Sequence, residues 1–189
     1  MSGVGTLIIG RPRLLSGERR ATTDYTLVCE EPVWRDLLSG LGRGVDLVSL
    51  PRWCEQNLEL LASLEARWVE ASVGSALLHF DPRADNQLID DVALWLIDWS
   101  RSCRGAPWVD LVTLACSLHA DGHDMSAALE HQPVPGPAQA HQVNAYLAAL
   151  AGYWLEVSAT PDPHAPQRYQ RRAARGAVAL LRHRLSRAP

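Results

Sequence analysis

Four residues in the middle of the chain have types and spacing that suit phosphoryl transfer. His79 and Asp81 form an H-x-D pair, Asn86 follows Asp81 by five residues, and Asp98 closes an apolar run twelve residues after Asn86. Phosphoryl transfer needs positioning and charge neutralisation more than covalent chemistry. One carboxylate can orient and deprotonate an attacking hydroxyl, while an amide oxygen and a second carboxylate are hard ligands suited to Mg²⁺. The pattern therefore predicts Asp81 as the base and Asn86 and Asp98 as magnesium ligands.

Each of these residues also has an ordinary structural explanation when it is taken alone. Asp81, Asn86 and Asp98 could be loop residues between strands, where Asp and Asn are common. His79 could be a hydrogen-bonded histidine of the core. The order and spacing of all four together favour the phosphotransfer hypothesis.

Short strands are predicted around these residues. Three short apolar pieces, bounded by turn residues, occupy positions 76–78, 87–89 and 94–97. Asp90 and Asp91 would lie in the hairpin turn between the second and third pieces. Asp81 would then follow one strand and Asp98 would end another, which brings both to one edge.

Helices are predicted before and after this strand region. Apolar residues recur at helical spacing from Pro51 onward, which predicts a helix of about five turns that ends near Ser72-Val73-Gly74. A second helix is predicted from Trp108 until Gly122 ends it. Further helices are predicted at residues 126–131, 138–157 and 167–185, with a Pro-rich loop at 133–137. Residues 6–9 and 25–29 could be short strands.

Three segments together resemble the aminoglycoside phosphotransferase and choline kinase-like family. They are His79 to Asn86, then Leu96-Ile97-Asp98-Trp99, then Arg104-Gly105-Ala106-Pro107-Trp108-Val109-Asp110-Leu111. The earlier segment Leu64-Glu65-Ala66-Arg67-Trp68 is similar to family members as well. The resemblance is specific over about residues 50–120 and loose over the C-terminal helices. It implies an α+β, mainly helical fold: a protein kinase-like C-lobe at residues 46–189, with short β-hairpins at the catalytic edge.

The resemblance also implies a role for each matching residue. Asp81 would be the catalytic base, Asn86 and Asp98 the ligands of Mg²⁺ on ATP, and His79 the brace of the catalytic loop. Arg83 falls two residues after the base, where it could contact the transferred phosphate. The implied substrate is a small polar molecule with a hydroxyl group, such as an aminoglycoside, an amino alcohol or a sugar.

Two further residues have supporting roles in the same comparison. Asp110 is similar to the structural aspartate that ties down the helix after the metal-binding strand. Trp99 follows the metal-binding aspartate and is expected to pack beneath the site.

The chain departs from the family in its basic residues, because all 18 of them are Arg and none is Lys. Kinase-like sites use a strand Lys to pair the α- and β-phosphates, and the planar guanidinium of Arg is a poor substitute. Residues 1–45 are expected to be an ambiguous N-terminal segment or a truncated N-lobe remnant, because a complete five-stranded sheet of ~5–6-residue strands needs more chain. A gene fragment, a misassigned start or a frameshifted 5′ region would account for this. The alternative function is a non-catalytic remnant or a substrate-binding module.

Composition argues against several other classes of protein. The net charge of −3 disfavours bulk binding to nucleic acid or to an anionic membrane. No apolar run approaches the ~18–20 residues of a membrane span, and the N-terminus lacks a signal-peptide pattern. Four scattered cysteines suggest reduced thiols and a cytoplasmic protein. The excess of Arg, Ala and Trp over Lys hints at a bacterial source.

Three other candidate sites are weaker. His119 and His123, with Asp121 and Asp124, have a metal-like spacing, but Gly122 is expected to end the helix between them. Cys103 lacks the His–acid pattern of a cysteine nucleophile. The glycines at positions 3 and 5 are a weak phosphate-loop signal, since no Lys follows them.

The C-terminal region is rich in arginine, and its residues are predicted to form a solvated helix face rather than a nucleic-acid site. These residues are Arg168, Arg171, Arg172, Arg175, Arg182, Arg184 and Arg187.

Overall fold

The computed structural model describes residues 32–40, 51–131, 136, 138–159 and 167–187. This part of the chain is mainly helical with two small antiparallel sheets, which is compatible with the expected α+β class. The possible strands at 6–9 and 25–29 and the glycines at 3 and 5 lie outside the described residues. In the described part, no helix has the length and apolar character needed to cross a membrane.

The described elements alternate between short helices, short strands and long C-terminal helices. The helices are α1 (Val33–Leu38), α2 (Arg52–Glu55), α3 (Leu58–Glu65), α4 (Trp68–Ala71), α5 (Val109–Ala120), α6 (Ser126–Glu130), α7 (Ala140–Ala159) and α8 (Gln167–Ser186). The strands are β1 (Ala76–Leu78), β2 (Gln87–Ile89), β3 (Leu94–Leu96) and β4 (Cys103–Gly105).

The core is built around α7, which is buried over most of its length. Helix α8 packs along α7, and α5 packs on α8, while α1, α3 and α4 contact α7. The apolar face of α8 carries Ala173, Ala174, Ala177, Leu180 and Leu181, which are all buried at helical spacing. Burial of each leucine side chain stabilises the fold by about 1.5–3 kcal/mol.

The prediction of one continuous five-turn helix after Pro51 is wrong. The segment forms three short helices, α2 to α4, which end at Ala71 as expected but are interrupted by two turns. At the first turn Asn57 has non-helical backbone angles, and its side-chain Nδ2 donates to the Trp53 carbonyl at 2.7 Å. A local side-chain bond of this kind competes with helix continuation. The apolar spacing continues across the turns, so Leu61 and Trp68 still reach the core.

The strands and later helices are confirmed with small changes in their bounds. Strand β3 ends at Leu96, one residue earlier than predicted, and α7 spans Ala140–Ala159. Strands β2 and β3 form a hairpin whose turn is held by Asp90 Oδ1, which accepts from the backbone N–H groups of Val92 and Ala93 at 2.8 Å each. Strand β4, which pairs antiparallel with β1, and helix α1 were not predicted.

Helix α1 is held against α3 and α7 by a buried carboxylate. Glu65 accepts from the backbone N–H groups of Val33 and Trp34, at 3.0 Å each, and is 1% exposed. The Trp34 indole donates to the Ala148 carbonyl at 2.8 Å. Burial raises the pKa of Glu65 to about 7, although these backbone bonds and nearby Arg35 lower it.

Candidate active site

A buried aspartate fixes the backbone that leads from β1 to Asp81. Asp110 lies in the first turn of α5, where its Oδ2 accepts from the His79 N–H at 2.7 Å and its Oδ1 accepts from the Phe80 N–H at 2.9 Å. Burial raises the pKa of Asp110, while the two bonds lower it. These bonds hold Phe80 in the left-handed region, with φ 63°, which a bulky residue adopts only when its surroundings impose it.

His79 links the loop after β1 to the segment after β3. Its ring is fully buried, and Nε2 contacts the Ile97 carbonyl at 2.7 Å while Nδ1 accepts from the Asp81 N–H at 3.3 Å. These partners fit a neutral ring with the proton on Nε2. The Trp99 ring meets the His79 ring edge-on, with centroids 4.8 Å apart. The His79 ring therefore connects the backbone at Asp81 with the backbone at Ile97, which directly precedes Asp98.

Asp81 and Asn86 are brought together by a tight loop. The Asn86 side-chain Nδ2 donates to the Asp81 carbonyl oxygen at 2.9 Å and to Asp81 Oδ2 at 3.3 Å. The amide nitrogen therefore has two acceptors, and both belong to Asp81. The Asn86 Oδ1 atom has no hydrogen-bond donor among the described residues, and it is available as a metal ligand.

Asp98 directly follows Ile97, whose backbone is hydrogen-bonded to that of Asn86. The Ile97 N–H donates to the Asn86 carbonyl at 2.9 Å, which continues the β2–β3 hairpin to the edge of the site. Asp98 itself has φ 56° and, with Phe80, is one of two non-glycine residues with positive φ in the described chain. Both of these backbone conformations flank the candidate site.

The Asp98 carboxylate is exposed and remains ionised over a wide pH range. Hydrogen bonds from Ser100 lower its pKa, and the positive charge of Arg83 lowers it further. An ionised, accessible carboxylate is the state that a magnesium ligand needs.

Arg83 lies between Asp81 and helix α8. Its Nε lies 3.2 Å from Asp81 Oδ1 and 3.4 Å from Asp85 Oδ1, yet Nε forms no hydrogen bond within the described chain, because neither contact is aligned with the N–H. Its guanidinium carbon lies 5.4 Å from the centre of the Tyr169 ring. Arg83 thus places a positive charge beside Asp81 and connects the loop to α8.

Tyr169 was not identified from the sequence. Its hydroxyl forms a 2.8 Å hydrogen bond with Ser117 Oγ, and burial, with the negative charge of Asp81, raises its pKa to about 12. It therefore remains a neutral phenol and serves as a wall for Arg83. The sequence signal was weak, because a lone aromatic residue among arginines has no spacing that relates it to Asp81.

The weaker candidate sites gain no support. No group of three or more His, Cys, Asp or Glu side chains suited to a metal occurs in the described part of the chain, so the His119–His123 cluster is not supported. Helix α5 ends at Ala120, and Gly122 has φ 94°, as expected. Burial raises the pKa of the Cys103 thiol to about 11, which keeps it protonated and a poor nucleophile.

Comparison with known proteins identifies the class to which this fold belongs. A family model described as the phosphotransferase enzyme family matches residues 29–153, which is more than half of the chain. The chain belongs to this family. No curated protein and no solved structure matches it.

Proposed function

We propose that this chain carries the catalytic edge of a small-molecule phosphotransferase that moves the γ-phosphate of ATP to a hydroxyl group. Residues 46–189 would form the C-lobe of a kinase-like fold. The observation that carries the proposal is the pairing of Asp81 with Asn86. It leaves one amide oxygen free beside a carboxylate, next to the backbone pairing that leads to Asp98.

The reaction needs few groups from the protein. Asp81 would accept the proton of the acceptor hydroxyl while the hydroxyl oxygen bonds to the γ-phosphorus of ATP. The bond from that phosphorus to the β,γ-bridging oxygen breaks, and ADP leaves. Asn86 Oδ1 and the Asp98 carboxylate would hold Mg²⁺, which neutralises charge on the phosphates. Arg83, beside Asp81, would contact the transferred group, while His79 and Asp110 keep the loop in place.

The absence of Lys from the sequence sets the expected rate. No ammonium group is available to position the α- and β-phosphates, and positioning supplies much of the rate in this chemistry. Turnover by this chain alone is therefore expected to lie far below about 1 s⁻¹, the low end for kinases. The same absence favours a second candidate, a non-catalytic module that retains the binding half of the cleft.

Long incubation of the purified chain with Mg²⁺ and γ-labelled ATP separates the candidates. We expect slow, Mg²⁺-dependent release or transfer of label that Asp81→Asn lowers by about 10²-fold or more, the usual contribution of a general base. Asp91→Asn, in the exposed β2–β3 turn, is the matched control and should not change the rate. Label release that is equal in Asp81→Asn and the parent chain would favour the binding module, provided that circular dichroism shows both to be folded.

A further inference from the structure

An open groove between α5 and α8 has a positive lining. Its volume is about 600 Å³, and its walls carry the side chains of Arg168, Arg171, Arg172, Arg175 and His119. The four arginines stand at i, i+3, i+4 and i+7 on α8, so they share one helix face. The chain as a whole has a net charge of −3, so this groove is opposite in sign to the molecule around it.

The positive charge of the groove is only partly balanced within the described chain. Asp121 forms an ion pair with Arg172, and Arg171 donates to the Ser158 carbonyl at 3.3 Å. Arg168 and Arg175 have no carboxylate partner in that part of the chain. Like charges at these spacings repel one another and destabilise a helix, and a bound anion would offset that repulsion.

A second, smaller cavity borders both the groove and the candidate catalytic loop. Its volume is about 160 Å³, and it shares Arg172 with the groove and is lined by Ala84, within the loop from Asp81 to Asn86, and by Tyr169. The Tyr169 ring contacts Arg83, and Arg83 contacts Asp81. The arginine groove and Asp81 are therefore connected through the smaller cavity and two side-chain contacts.

The floor of the groove leaves room for a small molecule. The remaining lining residues are small: Ala120 on α5, and Gly176 and Ala179 on α8. Volumes of roughly 300–1,000 Å³ suit small-molecule ligands. Guanidinium groups suit phosphate or carboxylate, which they bind through two parallel hydrogen bonds.

We propose that this arginine groove binds an anionic group, a phosphate or a carboxylate, of the acceptor substrate. The part of the proposal that makes the bound molecule the acceptor rests on the proposed function. The binding of an anion to the groove does not depend on that function. The arginine groove would select an acidic acceptor, such as a phosphorylated or carboxylated small molecule. It would disfavour a polycationic aminoglycoside, whose ammonium groups would face the arginines.

Titration calorimetry with inorganic pyrophosphate and with citrate tests the site. The full chain is used at fixed ionic strength with EDTA present, so that a metal–nucleotide site makes no contribution. We expect both anions to bind, and the double variant Arg168→Ala/Arg175→Ala to weaken them by at least about tenfold, the worth of one charge-assisted hydrogen bond. Arg182→Ala is the matched control, because Arg182 is exposed on the same helix but does not line the groove. It should leave the affinity unchanged.

Further measurements separate the anion site from the proposed phosphotransfer and from binding of cations or nucleic acid. Binding of pyrophosphate should persist in Asp81→Asn and Asp98→Asn, although both variants would disable the proposed phosphotransfer. Failure of the anion site can therefore be distinguished from failure of the proposed reaction. The proposal is overturned if the parent chain binds neither anion, or if Arg182→Ala weakens them as much as the double variant does. Tighter binding of kanamycin than of citrate, or preferential binding of a short oligonucleotide, would also overturn it. Thermal melting confirms that each variant is folded.

Discussion

Asp110 acts at the scale of a single side chain, because one carboxylate satisfies two backbone donors that lead to Asp81. In Asp110→Asn one oxygen remains, while the new amide N–H₂ faces a backbone N–H. We expect the free energy of unfolding to fall by about 1–3 kcal/mol, the cost of leaving a buried donor unpaired. Urea denaturation measures this loss.

The exposed Asp91 provides the control for that measurement. Asp91→Asn should change the free energy of unfolding by no more than about 0.5 kcal/mol, as is usual for a surface substitution. Equal stability of Asp110→Asn and Asp91→Asn would contradict the role assigned to Asp110.

Glu65 makes stability depend on pH. Its pKa is about 7 in the folded chain against an ordinary value of 4.5, so the folded state holds a proton that the unfolded state has lost between these values. The stabilisation is fully present below about pH 4.5 and is lost as pH rises through 7. We expect the free energy of unfolding to fall by on the order of 2–3 kcal/mol between pH 5 and 8 from this group.

Denaturation across that pH range on Glu65→Gln isolates the effect, because the variant has no proton to lose at this position. The slope should be smaller in Glu65→Gln than in the parent chain and unchanged in Glu70→Gln, whose side chain is exposed on α4. A slope that is the same in all three proteins would show that Glu65 does not titrate in this range.

The sequence could predict individual residues where chemistry restricts both type and spacing. Asp81, Asn86 and Asp98 were singled out because few other arrangements place two carboxylates and an amide around strand ends, and their roles stay predictions. Glu65 was noted only as part of a family-like segment, and its contact with α1 was not foreseen. Its partners lie about thirty residues away in the chain, and no local pattern encodes such a contact.

At the scale of the elements, the crossing of α5 and α8 depends on a glycine. A methyl group built on Gly176 would overlap the Cys116 carbonyl oxygen. Gly176→Ala should therefore destabilise the fold by about 1–3 kcal/mol through overpacking, although Ala is favoured over Gly within a helix by about 1 kcal/mol. Thermal or urea denaturation measures the balance.

Arg182→Ala, at an exposed position of the same helix, is the comparison for that variant and should be nearly neutral. If Gly176→Ala proved more stable than the parent chain, helix propensity would outweigh packing. The close approach of α5 and α8 would then be wrong.

Elements with strong periodicity were predictable, and short elements were not. The long helices α7 and α8 have apolar faces that persist over many turns. Strand β4 escaped prediction because three residues with Arg104 at the centre show no alternation that differs from a loop. The turns within the helical segment after Pro51 escaped because its apolar spacing continues through them.

At the scale of the whole molecule, membership of the phosphotransferase enzyme family indicates phosphoryl transfer, and the arrangement of charge bears on the acceptor that we propose. A chain with net negative charge concentrates four arginines in one groove, and a smaller cavity borders both this groove and the loop that follows Asp81. The mainly helical fold with small sheets was expected from the family resemblance, which the motifs between His79 and Leu111 carry. The groove could not be expected in this way, because its formation depends on the packing of α5 against α8.

The central claim is that Asn86 and Asp98 of this chain hold a divalent metal on a nucleotide. Electron paramagnetic resonance of Mn²⁺, used in place of Mg²⁺, reports binding of the metal–ATP complex directly. We expect weak binding by the parent chain and no change in Asp91→Asn. Affinity should fall by at least about tenfold in Asn86→Ala, which removes the amide ligand, and in Asp98→Asn, which removes the carboxylate charge. Binding of Mn·ATP that is unchanged in Asn86→Ala and Asp98→Asn, or no binding by the folded parent chain, would contradict the account.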